Sequence, residues 1–489
     1  MKIRLLAGLV ASCCAAPVLA QSNITIYGLV DAGLHVSSNG EGTRTKLVSG
    51  IADGSRLGFK GTEDLGGGYK TIFNLEARLE IDNGTNQAGN ISDNEGFALS
   101  RGMNFIPVLS AATMPTVRAG VAAAVAQRAQ AAGATAAQAA AAGAAYVASA
   151  TGMADVANRT AAAVAPTGAA LLAGSQRALR EAGKIKIVNF SGALFDRTSM
   201  VGMITPVGAV LAGRMYTPGY EVLAGADTFE TGTAGSWGGI TSGPAGLLTA
   251  GIAIRSSKAL QYRIQLPSGI SAALMYGFKN SGYIELDKRF YAANVMYKAN
   301  GFNVGVGYNN GQDQYGNSGL ISTVIGGSYE TGPFKFFAGY LKQKNENSVV
   351  VPLLTSLTWD AGIAPTLASQ PAALQAALRN SYVNTLKQNF KLDADSYSVG
   401  MHYKIGNGRI MGSVSRQNDK TAFNNDATQY AIGYDHNLSK RTDIYTVLAY
   451  IKNENNAQYA PGAASAGGGF TSAGGESGKA FQVGMRHRF

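Results

Sequence analysis

Apolar and polar residues alternate singly along most of this chain. In the first such stretch Ile24, Ile26, Gly28, Val30, Ala32 and Leu34 share one face of an extended strand, and Thr25 and Asp31 lie on the other. Ser55–Glu63 repeats the pattern, Asp64–Gly68 turns, and the return segment sets Phe73, Leu75, Ala77 and Leu79 against Asn74, Glu76, Arg78 and Glu80. Four polar or charged residues in register do not suit a buried sheet face, but they suit a wet interior. The last stretch places Phe481, Val483, Met485, His487 and Phe489 on one face, and Gln482, Gly484, Arg486 and Arg488 on the other. A soluble sandwich strand also alternates, but a chain that ends on the aromatic of such a strand suits a sheet closed on itself, with the last strand pairing the first.

Such segments recur about 16 times. Seven tight connections (64–68, 205–208, 266–269, 299–301, 331–333, 406–408 and 437–440) alternate with eight long ones, at 38–54, 83–192, 217–258, 280–289, 311–319, 345–393, 417–427 and 453–478. A soluble β-protein has no reason to sort its loops by end. A transmembrane antiparallel β-barrel with both termini on the short-turn side does. Tyrosines cap the apolar faces, as in Tyr291–Tyr297, Tyr397–Tyr403 and Tyr430–Tyr434. That is where a headgroup-level girdle belongs. About 16 strands leave room for an aqueous channel. The predicted fold is therefore all-β, spanning 21–489.

Composition refines this picture. Of 489 residues, 63 are Gly and 22 are Tyr, which favours many strands with aromatic ends. Residues 1–20 read as a signal peptide: Lys2 and Arg4, the apolar Leu5–Ala11, then Val18-Leu19-Ala20 before Gln21. A rival reading takes Val10-Ala11-Ser12-Cys13 as a lipoprotein box with Cys13 lipidated. Cleavage after Ala20 removes Cys13 and Cys14, leaving neither disulfide nor thiol chemistry. The formal charge of +11 falls to +9 without Lys2 and Arg4. The basic residues are scattered singly, which argues against a nucleic-acid patch. His35, His402, His436 and His487 lie on separate strands without metal-ligand spacing, so no metal or cofactor is expected. Gly66-Gly67-Gly68 is a turn, because no helix follows it. An enzyme is not expected.

The stretches Ile26–Gly33, Ser55–Gly68, Leu194–Arg197, Leu211–Tyr216 and the terminal Phe489 together resemble the trimeric general-diffusion porins of Gram-negative outer membranes, in flavour the β-proteobacterial type. The resemblance covers most of the chain outside two insertions. It implies a homotrimer among outer-membrane lipid and lipopolysaccharide, and assembly by the β-barrel machinery that recognises Phe489. It also implies a third loop folded into the lumen and facing a ladder of wall arginines. By position Arg56, Arg214 and Arg255 look like that ladder, with Lys60 and Arg78 as second-rank lumen cations. Glu221, Asp227 and Glu230 in loop 217–258 are its candidate acidic partners, or else loop-surface charges. Opposed rows of fixed charge across a narrow gap order water and favour hydrated polar solutes. Arginine suits the wall because it stays charged. Strict alternation puts Arg214 with Val210 and Ala212, so a bulge is expected there. The excess of basic residues predicts mild anion preference.

The family pattern does not cover the insertions. Residues 105–188, in the second long loop, are alanine-rich. Val121–Ala132 and Ala134–Ala150 favour helix, with breaks expected at Gly133, Gly143, Gly152, Pro166 and Gly168. The reading is a helical cap or inter-subunit collar on the extracellular side, against a mobile low-complexity segment or a plug entering the lumen. The second insertion, 345–393, holds a short helix near Pro371–Arg379 that pairs with the first. The function expected is passive diffusion of small hydrophilic solutes and inorganic ions. The alternatives are a channel for one solute class capped by the alanine-rich insertion, or a surface protein using the barrel as an anchor.

Overall fold

The computed structural model describes residues 23–40, 42–90, 100–183, 186–189, 191–241, 252–279, 289–313, 315–462 and 469–489. The leader with both cysteines, and 242–251 of the third long loop, lie outside the described residues.

Sixteen antiparallel strands close into a barrel. On the first side lie β1 (Asn23–Ser38), β2 (Thr43–Ser49 and, past a bend, Arg56–Gly66), β3 (Tyr69–Arg78), β4 (Thr198–Thr205), β5 (Gly208–Tyr216) and β6 (Arg255–Gln265). There follow β7 (Ile270–Gly277), β8 (Phe290–Ala299), β9 (Phe302–Gln312), β10 (Ser318–Thr331) and β11 (Phe334–Asn345). The circuit ends with β12 (Leu392–Ile405), β13 (Gly408–Asp419), β14 (Ala427–Asn437), β15 (Thr442–Asn453) and β16 (Gly478–Arg488). At the seam β16 pairs β1, from Leu29 opposite Arg488 to Ser38 opposite Lys479. The Phe489 amide donates to the Gly28 carbonyl (3.1 Å) and the Gly28 amide to the Phe489 carbonyl (3.0 Å). A Cβ at Gly28 would lie 2.3 Å from the Phe489 ring, so the terminal aromatic has a seat only because residue 28 has no side chain.

The two faces follow the alternation. Ile24, Ile26, Val201, Leu274, Val295 and Leu448 are exposed on the outer wall, while Asp31, His35, Gln343, Gln417 and Gln482 are buried inside. Loops fold into the barrel and bond to Asp31, Gln343 and Gln482, and His35 and Gln417 bond in turn to Gln482 and Gln343. Those bonds offset the cost of taking the polar groups out of water.

In two places the chain departs from the expected pattern. Residues 38–54 were expected as one loop, but Thr43–Ser49 alternates and pairs with β1 from Ala32 opposite Ser49 to Ser38 opposite Thr43. Between Ser49 and Arg56 the chain leaves the wall and bends inward. The Asp31 carboxylate holds the bend, accepting from the amides of Ala52 and Asp53 (2.7 Å each) and from the Tyr445 hydroxyl (2.5 Å). At Arg214 the bulge expected from strict alternation is present, as a register shift between Gly213 and Met215 against β6.

The insertions form a second folded unit. The first contributes α1 (Ile106–Ala131), α2 (Ala136–Ala148) and α3 (Ala150–Gly183). Thr135 starts α2 with a capping box, its hydroxyl accepting from the Gln138 amide while the Gln138 side chain accepts from the Thr135 amide. Of the expected breaks, Gly133 follows the end of α1 with φ +94°. Gly143, Gly152, Pro166 and Gly168 lie inside helices instead. At Gly143 the reason is packing: a Cβ there would sit 2.3 Å from the Ala122 carbonyl oxygen of α1. The second insertion supplies α4 (Val350–Leu354), a wide helical stretch Thr355–Ile363, and α5 (Ala372–Asn389), longer than the helix expected at 371–379. One apolar core joins the two insertions: Phe105, Leu109, Leu171 and Leu179 pack with Leu354, Trp359, Leu378 and Tyr382. Val121, Val147 and Val156 make a smaller core at the far end of α1–α3.

Candidate functional site

The third long loop enters the barrel and follows the inner wall. It begins with α6, Pro218–Ala226, capped by the Thr217 hydroxyl, which accepts from the Tyr220 amide (3.4 Å). Val222, Leu223 and Ala226, with Trp237 and Ile240 farther on, pack against the inward-facing Val324 and Leu341. The polar bonds trace its path strand by strand. Asn294 on β8 donates to the Pro218 carbonyl (2.9 Å), and the Gly219 amide donates to Asn309 on β9 (3.1 Å). The Trp237 indole donates to Ser396 on β12 (2.9 Å), Gln429 on β14 donates to the Ser236 carbonyl (3.0 Å), and the Ala234 amide donates to Gln482 on β16 (2.6 Å). The Thr233 amide reaches the Ile51 carbonyl of the inward bend in β2 (2.5 Å). The described part of the loop thus lines the wall from β8 to β16 and meets the inward bend of β2.

Asp227 organises the loop tip. Its carboxylate accepts from the amides of Phe229 (2.9 Å), Thr231 (3.1 Å) and Trp237 (3.1 Å) and from the Ser236 hydroxyl (2.6 Å). Burial pushes its pKa up, and these four donors oppose that rise. They hold Glu230, Thr231 and Thr233 at φ of 55°, 64° and 56°. Left-handed conformations at such residues cost about 1–3 kcal/mol each, so the loop keeps its shape only while Asp227 ties it.

Facing the loop, β2, β3, β5 and β6 carry the cations. Glu76 sits centrally: it accepts from Arg197 Nε (2.6 Å) and the Tyr27 hydroxyl (3.1 Å), with Arg56 Nη1 at 3.9 Å. Arg56 also pairs with Asp53 and donates from Nε to the Gly54 carbonyl (2.8 Å). Arg78 pairs with Asp196 (3.2 Å) and Glu80 (3.1 Å). The Tyr216 hydroxyl accepts from Arg197 (3.3 Å) and from Arg255 (2.5 Å). The Arg255 guanidinium lies over the Tyr216 ring, 4.2 Å from its centroid, and Tyr216 stacks on Tyr220 of the loop at 5.5 Å. Lys60 stands over the Tyr27 ring at 5.1 Å. Arg255 and Lys60 therefore meet aromatic rings where their neighbours meet carboxylates.

The structure brings Arg56, Arg78 and Arg255 into one wall cluster, with Lys60 beside it. Arg214, at the bulge, bonds the Asp196 carbonyl and the Ser257 hydroxyl (2.7 Å). Each acidic candidate has a partner of its own. Glu221 pairs with Arg263 on β6 and accepts from Asn294 (3.1 Å), Glu230 pairs with Arg409 on β13 (2.6 Å), and Asp227 is occupied by its own loop. Sequence reasoning did not single out Glu76, Arg197, Tyr216 or Arg409. Arg197 and Tyr216 stand in the quoted motifs, and Glu76 falls on the polar face of its strand, so each carried a signal. Arg409 carried none, because its role depends on where the loop tip lands.

The chain matches the family profile described as Gram-negative porin over residues 6–456. It is 24% identical over 480 residues to outer membrane porin protein 32 of Delftia acidovorans, covering 96% of this chain and 95% of that protein. A shorter stretch of 73 residues, 14% of this chain and 22% of the relative, is 42% identical to the major outer membrane protein P.IB of Neisseria meningitidis. Among solved structures, the anion-selective porin from Comamonas acidovorans superposes with a TM-score of 0.58 at 20% identity, over 96% of this chain and all of that one.

Proposed function

The chain belongs to the Gram-negative porin family and forms an outer-membrane channel, and from that premise we propose that its lumen passes small hydrophilic solutes and inorganic ions with a mild preference for anions. A channel dedicated to one solute class is not favoured. One observation carries the selectivity. Among the described residues of the bare wall, Arg255 and Lys60 have aromatic partners and no carboxylate partner, so their fields are not cancelled by a described neighbour and act on a passing ion. Arg56, Arg78 and Arg197 are compensated by Asp53, Glu76, Glu80 and Asp196, which keeps the preference mild. A relative described as an anion-selective porin supports the same direction.

Reversal potential across a planar bilayer in a salt gradient tests this reading. Wild type is expected on the anion side, Lys60→Glu closer to neutral, and Arg255→Glu across it. Clear cation preference of the wild type would refute the assignment. The chain is further proposed to assemble as a homotrimer, as its resemblance to the trimeric general-diffusion porins implies, embedded among outer-membrane lipid and lipopolysaccharide. Phe489, seated over Gly28 at the seam, is proposed as the signal read by the β-barrel assembly machinery. The insertions 105–188 and 345–393 are proposed to lie outside the cell, on the long-loop side.

A further inference from the structure

The two insertions leave the barrel at opposite walls. The first joins β3 to β4 and the second joins β11 to β12, positions eight strands apart in a closed ring of sixteen. Yet they share one dry core, in which Phe105 of the first lies 6.0 Å from Trp359 of the second, and Trp359 lies 5.1 Å from Tyr382. The Ser381 hydroxyl donates to the Asn104 carbonyl (3.4 Å) and Asn389 Nδ2 to the Arg101 carbonyl (3.0 Å). Elements rooted on opposite sides of a ring can meet in this way only by crossing its mouth or skirting its rim.

The eighth long loop discriminates between these routes. It forms a short hairpin, Tyr459–Ala460 paired with Gly469–Phe470. Phe470 is 3% exposed and belongs to the core shared by the insertions. Tyr459, its cross-strand partner, is 4% exposed and belongs to the cluster inside the barrel with Trp237 and Ile240 of the constriction loop. The Arg101 guanidinium donates to the Asn456 carbonyl at the base of this hairpin. The hairpin is therefore sandwiched between the helical unit and the loop in the lumen, which places the shared core over the opening.

We propose that the helical unit and the paired strands Tyr459–Ala460 and Gly469–Phe470 form a roof across the outer mouth, a second filter stacked on the constriction, which sets the size of solute admitted and leaves ion preference to the arginine wall. The proposal rests on the reading of the barrel as a pore. Solutes enter around the roof's edge, so the cut-off is set above the charged wall and not by it.

Two experiments test it. In the full-length wild type, neutral polymers of graded size are added to one side of a bilayer at a time while single-channel conductance is read. The roof predicts exclusion at smaller polymer size from the long-loop side than from the short-turn side; equal access from both overturns it. In the second, residues 106–183 are replaced by a short Gly-Ser linker and Phe470 by alanine. Conductance is expected to rise about twofold or more, and the size cut-off in liposome swelling to move to larger sugars, with the reversal potential unchanged. Unchanged conductance and cut-off overturn the roof. A changed cut-off with no anion preference in either form leaves the roof standing and refutes the selectivity reading alone. Absence of conductance in both refutes the pore itself, and the roof with it.

Discussion

The barrel and the helical cap of this chain solve the same problem in opposite ways. The barrel turns its apolar residues outward and its polar ones in, so Ile24 and Leu274 are exposed while Gln343 and Gln482 are buried. The cap does the reverse, gathering Leu179, Leu354 and Tyr382 into a dry centre and leaving alanines on the surface. The chain has two tryptophans, one for each solution. Trp237 is buried in the lumen loop and Trp359 in the cap. Strand pairing holds the first region together around its whole circumference, whereas the second depends on side-chain packing between segments far apart in sequence. Damage to packing should therefore unfold the cap and spare the barrel, while damage to the seam should do the opposite.

The largest effect is expected in the cap core. Leu179→Ala empties a fully buried site, a change that costs about 2–5 kcal/mol. In a Trp237→Phe background, Trp359 emission should shift red at lower temperature and protease should cut at Arg118 or Arg128, while the sheet signal in circular dichroism stays unchanged. Joint loss of both signals would show that cap and barrel fold as one. Next in size is the seam. Phe489→Ala strips the ring from Gly28 and loosens the two backbone bonds beside it. At about 1 kcal/mol per bond plus lost packing, the folded, heat-modifiable form in the outer membrane is expected to fall about tenfold, with the cap's own core untouched. A smaller loss is expected at Asp227→Asn, which weakens four bonds at the loop tip by about 1–3 kcal/mol in all. Trp237 fluorescence in a Trp359→Phe background should report a looser loop, and single-channel records should become noisier.

The smallest effect is one of pH. Burial opposes ionisation of Glu230, but the bidentate Arg409 guanidinium overrides it and holds the carboxyl at about 2, below the ordinary 4.5. A group depressed in the folded state lends stability that is complete above its unfolded pKa and is lost as pH falls through the folded one. Attachment of the loop tip should therefore weaken between about pH 4.5 and 2, seen as a change in Trp237 emission. Glu230→Gln should remove that change while leaving Trp359 emission in the cap as it was.

Legibility divides along the same line. The strands, the sorting of turns from loops and the bulge at Arg214 were all readable, because a period of two is local and the bilayer and the lumen impose it on every strand alike. Reading 38–54 as a plain loop missed the alternation of Thr43–Ser49, a short stretch flanked by glycines. In the site, Arg56, Arg214 and Arg255 were expected at positions resembling the family's arginine ladder, and Lys60 and Arg78 as further lumen-side cations. Their partners were not, since Glu76 meets Arg197 across 121 residues and Glu230 meets Arg409 across 179.

From sequence alone came the closed barrel, its two unequal ends and the helical bias of the alanine-rich insertion, each a property of residues near one another in the chain. Only the tertiary structure decided that Asp227 ties its own loop, that the Arg255 guanidinium lies over the Tyr216 ring, and that two insertions from opposite walls share one core. Those facts depend on contacts between distant segments, whose energies come from burial and complementarity in three dimensions and leave no period in the chain.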